Sequence, residues 1–168
     1  MARYSKTVIV LHWLMAVLIL AAWFTGEGGR HVRENPPVLH FWLGLSVLVL
    51  LVPRLAVRLF GGIPAMEAPQ RPLLDLAARA GHWVLYGLML GLPITGWYAA
   101  GRLGVPVTFF GLPLPALAAS VQGSPGWVAE VHETGGTVVL WLAGLHVAMA
   151  LWHQFVLRDG TLSRMSPV

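Results

Sequence analysis

The sequence contains no cysteine among its 168 residues. This absence excludes disulfide bridges, iron–sulfur clusters held by thiolates, and attachment of a c-type haem through a Cys-x-x-Cys-His motif. Any metal ion or haem group must therefore be bound by histidine, methionine or carboxylate side chains.

Charged residues are also scarce. They make up 11% of the chain, 57% of the residues are hydrophobic, and the mean hydropathy is +0.70. An average soluble domain contains roughly 25% charged residues, so this chain has too few polar groups to cover a water-exposed surface. The composition predicts an integral membrane protein.

Five long stretches lack Asp, Glu, Lys and Arg altogether, namely residues 7–26, 35–53, 80–101, 103–129 and 134–157. A helix needs about 20 mostly apolar residues to cross a bilayer. The stretch 103–129 is interrupted by four prolines and four glycines, and a helix broken that often would leave backbone groups unpaired in lipid. We therefore expect a loop there and membrane spans in the other four stretches.

The predicted fold class is an all-α integral membrane bundle of four transmembrane helices. The spans are expected at approximately 8–24, 38–60, 75–100 and 127–157, within a single membrane domain that covers residues 1–168. No internal repeat is apparent along the chain.

The positive charges predict the orientation of this bundle. If the N-terminus is cytoplasmic, eight basic residues fall on the cytoplasmic side: Arg3, Lys6, Arg54, Arg58, Arg71, Arg79, Arg158 and Arg164. Three fall outside: Arg30, Arg33 and Arg102. This distribution follows the positive-inside rule, so both termini are expected on the cytoplasmic side. Since no soluble basic face exists, we expect membrane lipid and no nucleic acid as a partner.

The chain has seven histidines, and all but His31 lie within or at the edge of a predicted span. The other six are His12, His40, His82, His132, His146 and His153. Ionisable residues inside a membrane are rare, and they usually face the bundle interior for a functional reason. The histidines are therefore the first candidates for a functional site.

Three of these histidines share one stripe of the fourth span. At about 100° per residue, His146 lies only ~40° short of four full turns from His132, and His153 lies a further ~20° round. The rise between His132 and His146 is about 21 Å. Two ligands so far apart cannot bind one metal ion, but each can bind one of two stacked cofactors.

Depth in the bundle predicts partners for these ligands. His40 and His132 lie near the outer ends of their spans, whereas His12 and His146 lie deeper toward the inner side. Two haems b, one between each pair, fit because axial ligation in a bundle needs facing histidines on different helices. Other metal sites fit less well: HETGG lacks the second histidine of a zincin motif, and a di-iron site needs Glu-x-x-His pairs, whereas no span carries a Glu in its interior.

Five stretches of the sequence resemble the bacterial cytochrome b561 family. They are RYSKTVIVLHWL, LHFWLGLSVLVLLVPRLAVRL, GHWVLYGLMLGLPITGW, FFGLPLP and HETGGTVVLWLAGLHVAMALWHQFVLRDGTLSRM. The resemblance covers nearly the whole chain in order and includes the fourteen-residue spacing of the histidines in the last stretch.

The resemblance implies a multi-pass protein of the bacterial cytoplasmic (inner) membrane, with four helices that hold two haems b. Matched motif by motif, it gives four axial ligands of haem iron: His12, His40, His132 and His146. Members of the family pass electrons between a donor on one side and a quinone. One branch resembles superoxide:ubiquinone oxidoreductases.

Four further residues on the inner side are candidate contacts of a haem propionate or of a quinone. His82 follows Gly81 at an inner helix start, which makes it the better quinone candidate, and His153 shares the stripe of the fourth span. Either could replace His12 or His146 as a ligand in a different packing. Arg54 and Arg58 can pair with propionates, or they can bind lipid headgroups only.

The outer loops suggest how a small anion would reach the protein. Arg30, His31, Arg33 and Arg102 could attract superoxide, although Glu27 and Glu34 could equally make this a balanced, solvated surface.

The leading functional interpretation is an oxidoreductase that passes electrons from an outer donor, with superoxide favoured, through two haems b to ubiquinone. An alternative is an electron-relay subunit of a larger complex, such as a hydrogenase or formate dehydrogenase, with a redox partner protein as donor. A third interpretation, a histidine-lined proton or metal transporter, predicts no Soret absorption.

Overall fold

The computed structural model describes residues 3–26, 31–61 and 72–166, and four long helices account for most of them. Helix α1 spans Lys6–Thr25, α2 spans Val38–Phe60, α3 spans Pro72–Arg102 and α4 spans Trp127–Trp152. Each helix is long and apolar enough to cross a membrane. The predicted all-α architecture with four spans is confirmed.

Local sequence explains where these helices begin. The hydroxyl of Ser5 accepts a hydrogen bond from the N–H of Val8 (3.4 Å) and so caps α1. Gly126, directly before α4, has a φ of 91°, which is a left-handed conformation that glycine adopts without strain. Beyond Trp152 the chain continues as a π-helical turn over His153–Leu157, and a short 3-10 helix follows at Ser163–Met165.

The helices pack as two hairpins. Helix α1 packs along α2 and α3 packs along α4, while α2 contacts α3 and a narrower contact joins α1 to α4. Large apolar side chains also point outward along the helices, such as those of Val52 and Trp141, which are 70% and 76% exposed. Such exposure is unfavourable in water but natural for a surface that faces lipid, because lipid tails are themselves apolar.

The loop between α3 and α4 folds back over one end of the bundle. Strands β1 (Thr108–Phe109) and β2 (Leu112–Pro113) form a short antiparallel hairpin in which Thr108 pairs with Pro113. Phe110 and Gly111 at its turn both have positive φ, 48° and 86°, as a type I′ turn requires. Phe110 stacks on Trp42 of α2 at 4.9 Å. The expected loop is present, and its β-hairpin was not predicted.

The two chain ends meet at the opposite end of the bundle. The N–H of Tyr4 donates to the carbonyl of Arg164 (3.3 Å), and the indole N–H of Trp13 donates to the carbonyl of Met165 (2.9 Å). We call this end, where Tyr4 meets Arg164, the inner end, and the end covered by the β-hairpin the outer end.

Candidate functional site: two histidine clusters at different depths

The interior of the bundle contains two groups of histidines, one near each end. His40 of α2 faces His132 of α4 toward the outer end, with ring centres 5.8 Å apart. Toward the inner end, His146 of α4 lies 6.1 Å from His12 of α1 and 5.3 Å from His82 of α3. The structure thus brings together both pairs that were predicted from depth, and it adds His82 to the inner group.

The outer pair has the geometry of two ligands on either side of one metal ion. A metal bound at about 2 Å from each imidazole nitrogen places the two ring centres about 6 Å apart. The rings of His40 and His132 are almost perpendicular, at 89°. Among the described residues, no group of three or more His, Asp or Glu could hold a metal ion. His40 and His132 are thus spaced so that they would hold one metal centre between them.

Backbone carbonyls fix the orientation of both outer rings. Nδ1–H of His40 donates to the carbonyl of Ala22 in α1 (2.8 Å), and Nδ1–H of His132 donates to the carbonyl of Leu92 in α3 (2.8 Å). Because Nδ1 carries the proton, Nε2 of each ring presents its lone pair to the bundle interior. Metal-binding histidines characteristically donate their other N–H in this way.

Each supporting carbonyl belongs to a similar Thr-Gly element. The hydroxyl of Thr25 also donates to the carbonyl of Ala22 (3.2 Å), as that of Thr95 does to the carbonyl of Leu92 (3.0 Å). The following glycines leave room for the imidazoles. A Cβ on Gly96 would stand 2.6 Å from the ring of His132, whereas one on Gly26 would stand 3.4 Å from the ring of His40. Sequence reasoning missed these elements, although a Thr-Gly pair occurs in both places, at the end of α1 and inside α3.

In the inner group, a side chain holds His12 and a backbone carbonyl of its own helix holds His82. Arg54 of α2 donates from Nη2 to Nδ1 of His12 (2.9 Å). Arginine has no acceptor, so Nδ1 of His12 must be the acceptor, which is the opposite of the role that Nδ1 has in the outer rings. Nε2 of His12 therefore carries the proton in this arrangement, and His12 can offer a lone pair to a metal only when Arg54 releases Nδ1. His82 donates from Nδ1 to the carbonyl of Ala78 in its own helix (2.6 Å). Both His12 and His82 are therefore oriented toward His146 by contacts within their own hairpin or helix.

Arg54 is the half-buried cation of this inner group. Its Nε and Nη1 atoms are buried and have no hydrogen-bond partner among the described residues, and its guanidinium lies 5.9 Å from the centre of the Tyr86 ring. Unpaired donors of a buried charge are costly. The site therefore has unused capacity for an anionic or carbonyl partner. Arg58, one turn further inward, is half-buried.

His153 lies apart from the inner group and has its own partner. Its Nδ1 donates to the Oδ2 carboxylate oxygen of Asp159. The other carboxylate oxygen accepts from the N–H (3.0 Å) and the hydroxyl (2.7 Å) of Thr161. Burial alone would raise the pKa of Asp159, but the hydrogen bonds from Thr161 and His153 outweigh it and hold the pKa below its ordinary value of 3.8.

A cavity of about 440 Å³ opens beside this turn. It is lined by Gln154, Phe155, Arg158, Gly160 and Ser163. The side-chain oxygen of Gln154 is buried and lacks a hydrogen-bond partner among the described residues. The cavity offers polar contacts at the inner end of the bundle.

The basic residues of the outer loops have diverse surroundings. Arg33 donates to the carbonyls of Leu103, Val121 and Gly123 at 3.0–3.2 Å, so it ties the α1–α2 loop to the α3–α4 loop. His31 is exposed and lies 3.5 Å from Glu34. Arg102 ends α3 and is half-buried, and Arg30 lies outside the described residues. Arg33 therefore has a structural function, whatever its charge contributes.

Small residues beside the histidines leave the room that a flat macrocycle needs. A Cβ added to Gly44, Gly136 or Gly144 would meet nothing within 4 Å. Gly44 and Gly136 lie one turn inward from His40 and His132, on the same helix faces. Gly135 differs, because a Cβ there would meet the Leu92 side chain at 2.5 Å. The donor set and this open backbone both fit haem.

Comparison with known proteins also indicates a haem protein. A sequence profile described as prokaryotic cytochrome b561 matches residues 3–167. The chain belongs to the prokaryotic cytochrome b561 family. As a member of this family it is a membrane cytochrome that binds haem b, takes part in electron transport, and spans the bacterial inner membrane several times.

Three curated relatives cover nearly the full length of the chain. A probable superoxide oxidase CybB of Yersinia pestis is 31% identical over 98% of this chain and 96% of its own length. Cytochrome b561 homolog 2 of Escherichia coli is 30% identical, with 97% and 90% covered. Cytochrome b562 of Cereibacter sphaeroides is 31% identical, with 96% and 94% covered.

Proposed function

We propose that this cytochrome binds two haems b, an outer one between His40 and His132 and an inner one between His12 and His146. The observation that supports this most directly is the ring separation in the two pairs, 5.8 Å and 6.1 Å, because one metal between two imidazoles gives about this distance. When bound, haem supplies one-electron chemistry at its iron. The protein supplies ligation, orientation and exclusion of water.

The residues around each pair have distinct functions in this proposal. The carbonyls of Ala22 and Leu92 hold the outer rings, and the open space at Gly44 and Gly136 would admit a macrocycle close to the backbone. At the inner end, Arg54 would release Nδ1 of His12 and bind a haem propionate instead, since guanidinium groups pair well with carboxylates. His12 would then have a lone pair free for the iron. Arg58 would assist from one turn further inward.

We place the quinone at the inner end, where His82, His153 and the cavity beside Gln154 are located. His153 has Nε2 available because Nδ1 is engaged by Asp159. His82 likewise keeps Nε2 available, since its Nδ1 donates within α3. With its proton on Nδ1, each ring presents a lone pair at Nε2 that can accept a hydrogen bond from a quinol hydroxyl, and it donates from Nε2 to a quinone carbonyl only when doubly protonated. Ubiquinone is the acceptor we favour.

Superoxide is the donor we favour at the outer end. The relative from Yersinia pestis bears the name probable superoxide oxidase and matches almost the whole chain. Positive charge at the outer surface would attract a small anion and raise its encounter rate. We further propose that the inner end faces the cytoplasm, as the positive-inside rule predicts.

The proposal can be tested on the purified protein alone. The haems are counted by pyridine haemochromogen spectra, superoxide is then generated, and reduction of the haems and of ubiquinone is followed. Two haems per chain that superoxide reduces without a partner protein would support the proposal. Haems that remain oxidised until a partner protein donates electrons would instead indicate a relay subunit, and the absence of Soret absorption would exclude both.

A further inference from the structure

The two helical hairpins carry the same pattern of residues, so the expectation of no internal repeat was wrong. Residues 11–26 read LHWLMAVLILAAWFTG and residues 81–96 read GHWVLYGLMLGLPITG. The His-Trp and Thr-Gly pairs of the two stretches align at an offset of seventy residues. Helices α2 and α4 align at an offset of ninety-two, which matches His40 with His132, Gly44 with Gly136, Val47 with Val139 and Arg54 with His146.

The contacts follow the same repeat. In each hairpin, the first helix supplies the carbonyl that accepts from the outer histidine of the second helix. In each hairpin, the inner histidine of the first helix also lies beside the same position of the second helix, which is Arg54 in α2 and His146 in α4. His12 accepts from Arg54 at 2.9 Å, and His82 lies 5.3 Å from His146.

The repeat implies that the two hairpins are related by an approximate rotation axis. Helices α1 and α3 run in the same direction, so the hairpins are related by an axis along the membrane normal, as in other membrane proteins with parallel repeats. The axis relates His40 to His132, which makes the outer pair symmetric. It also relates His12 to His82 and Arg54 to His146. A fully symmetric bundle would thus offer two equivalent inner ligand pairs, each joining the two hairpins.

We propose that Arg54 determines which histidines bind the inner haem. A guanidinium is always protonated and has no acceptor, so it cannot ligate iron as the aligned His146 can. His82 therefore has no ligand partner in α2, and the inner haem is directed to His12 and His146. The repeat thus explains why three histidines meet at the inner end although a haem needs two. This inference rests on the proposed two-haem function.

The experiment exchanges the aligned residues between the hairpins. His146→Arg alone should lower the haem content from two to one per chain. The double variant Arg54→His/His146→Arg should restore two, because His82 gains a partner on α2. The double variant Arg54→His/His146→Ala, which places no arginine in α4, should also hold two haems. The outer haem, with an unchanged low-spin EPR signal, reports that each variant is folded.

Removal of the inner histidine from the first helix of each hairpin, His12 or His82, then identifies the ligand of the inner haem. In the natural background, His12→Ala should lose the inner haem and His82→Ala should keep it. In the exchanged background, His82→Ala should lose it and His12→Ala should keep it. If both double variants hold only the outer haem, or if His12 remains necessary in them, the inference is wrong. A natural protein with fewer than two haems would instead refute the proposed function.

Discussion

The first hairpin, α1 with α2, and the second, α3 with α4, are alike at the outer end and different at the inner end. At the outer end each supplies one histidine, held by a carbonyl three residues before a Thr-Gly pair. At the inner end the second hairpin supplies His82 and His146, whereas the first supplies His12 and Arg54. Backbone carbonyls are present whatever the side chains, so the outer geometry is preserved easily, while the inner end can diverge by single substitutions.

The largest expected effect tests the symmetric end. His40→Ala and His132→Ala should each abolish the outer haem and leave the inner one, because a metal centre of this kind needs both axial ligands. Haem content and EPR spectra of the purified proteins measure this, with His31→Ala on the exposed outer loop as the control. Unequal results for the two hairpins, such as retention of both haems in one variant, would contradict the symmetric arrangement.

The asymmetric end should respond differently to equivalent changes. His12→Ala is expected to lose the inner haem, whereas His82→Ala should keep both haems and slow their reoxidation by a short-chain ubiquinone such as decylubiquinone. A contribution to proton transfer would amount to about 10²-fold in this rate. Stopped-flow spectroscopy of the pre-reduced protein distinguishes the two variants. If His82→Ala loses a haem and His12→Ala does not, the ligand assignment must be reversed.

The helices and the placement of the histidines could largely be predicted from the sequence, but the contacts that orient the histidines could not. The charge-free stretches located all four helices, and helical periodicity placed His132 and His146 on one face. The engagement of Arg54 with His12 and of His153 with Asp159 depends on which helices are neighbours and on how the chain turns after α4. The repeat was missed because the identical positions are few and the two offsets differ, owing to the longer loop before α4.

A smaller effect is expected from the two Thr-Gly elements. Gly96→Ala would bring a Cβ to 2.6 Å from the ring of His132, while Gly26→Ala would remain at 3.4 Å from the ring of His40. Real Cβ atoms do not tolerate the shorter distance, so Gly96→Ala must displace the ring. We expect about 10-fold weaker haem binding, the lower end of what displaced metal-ligand supports cost, and little change for Gly26→Ala.

Haem titration of the refolded or haem-depleted variants measures this difference between the hairpins. Gly87→Ala is the matched control, because a Cβ at that position in α3 meets nothing within 4 Å. Equal haem affinities for Gly96→Ala and Gly87→Ala would show that the close approach of α3 to His132 is unimportant.

The smallest effect concerns a feature that only the second hairpin has. The residue aligned with His153 in the first hairpin is Gly61, so the contact with Asp159 has no counterpart there. Because the pKa of Asp159 is held below 3.8, its carboxylate stabilises the turn at neutral pH, and this contribution is lost as the pH falls through the lowered pKa. Asp159→Asn should remove about 1 kcal/mol of local stability at neutral pH.

Hydrogen exchange of residues 158–166 should then be faster in the variant at pH 7 and should converge with the natural protein in acid, with Asp75→Asn at the start of α3 as the control. Exchange rates that are equal at pH 7 would mean that the carboxylate does not hold the turn.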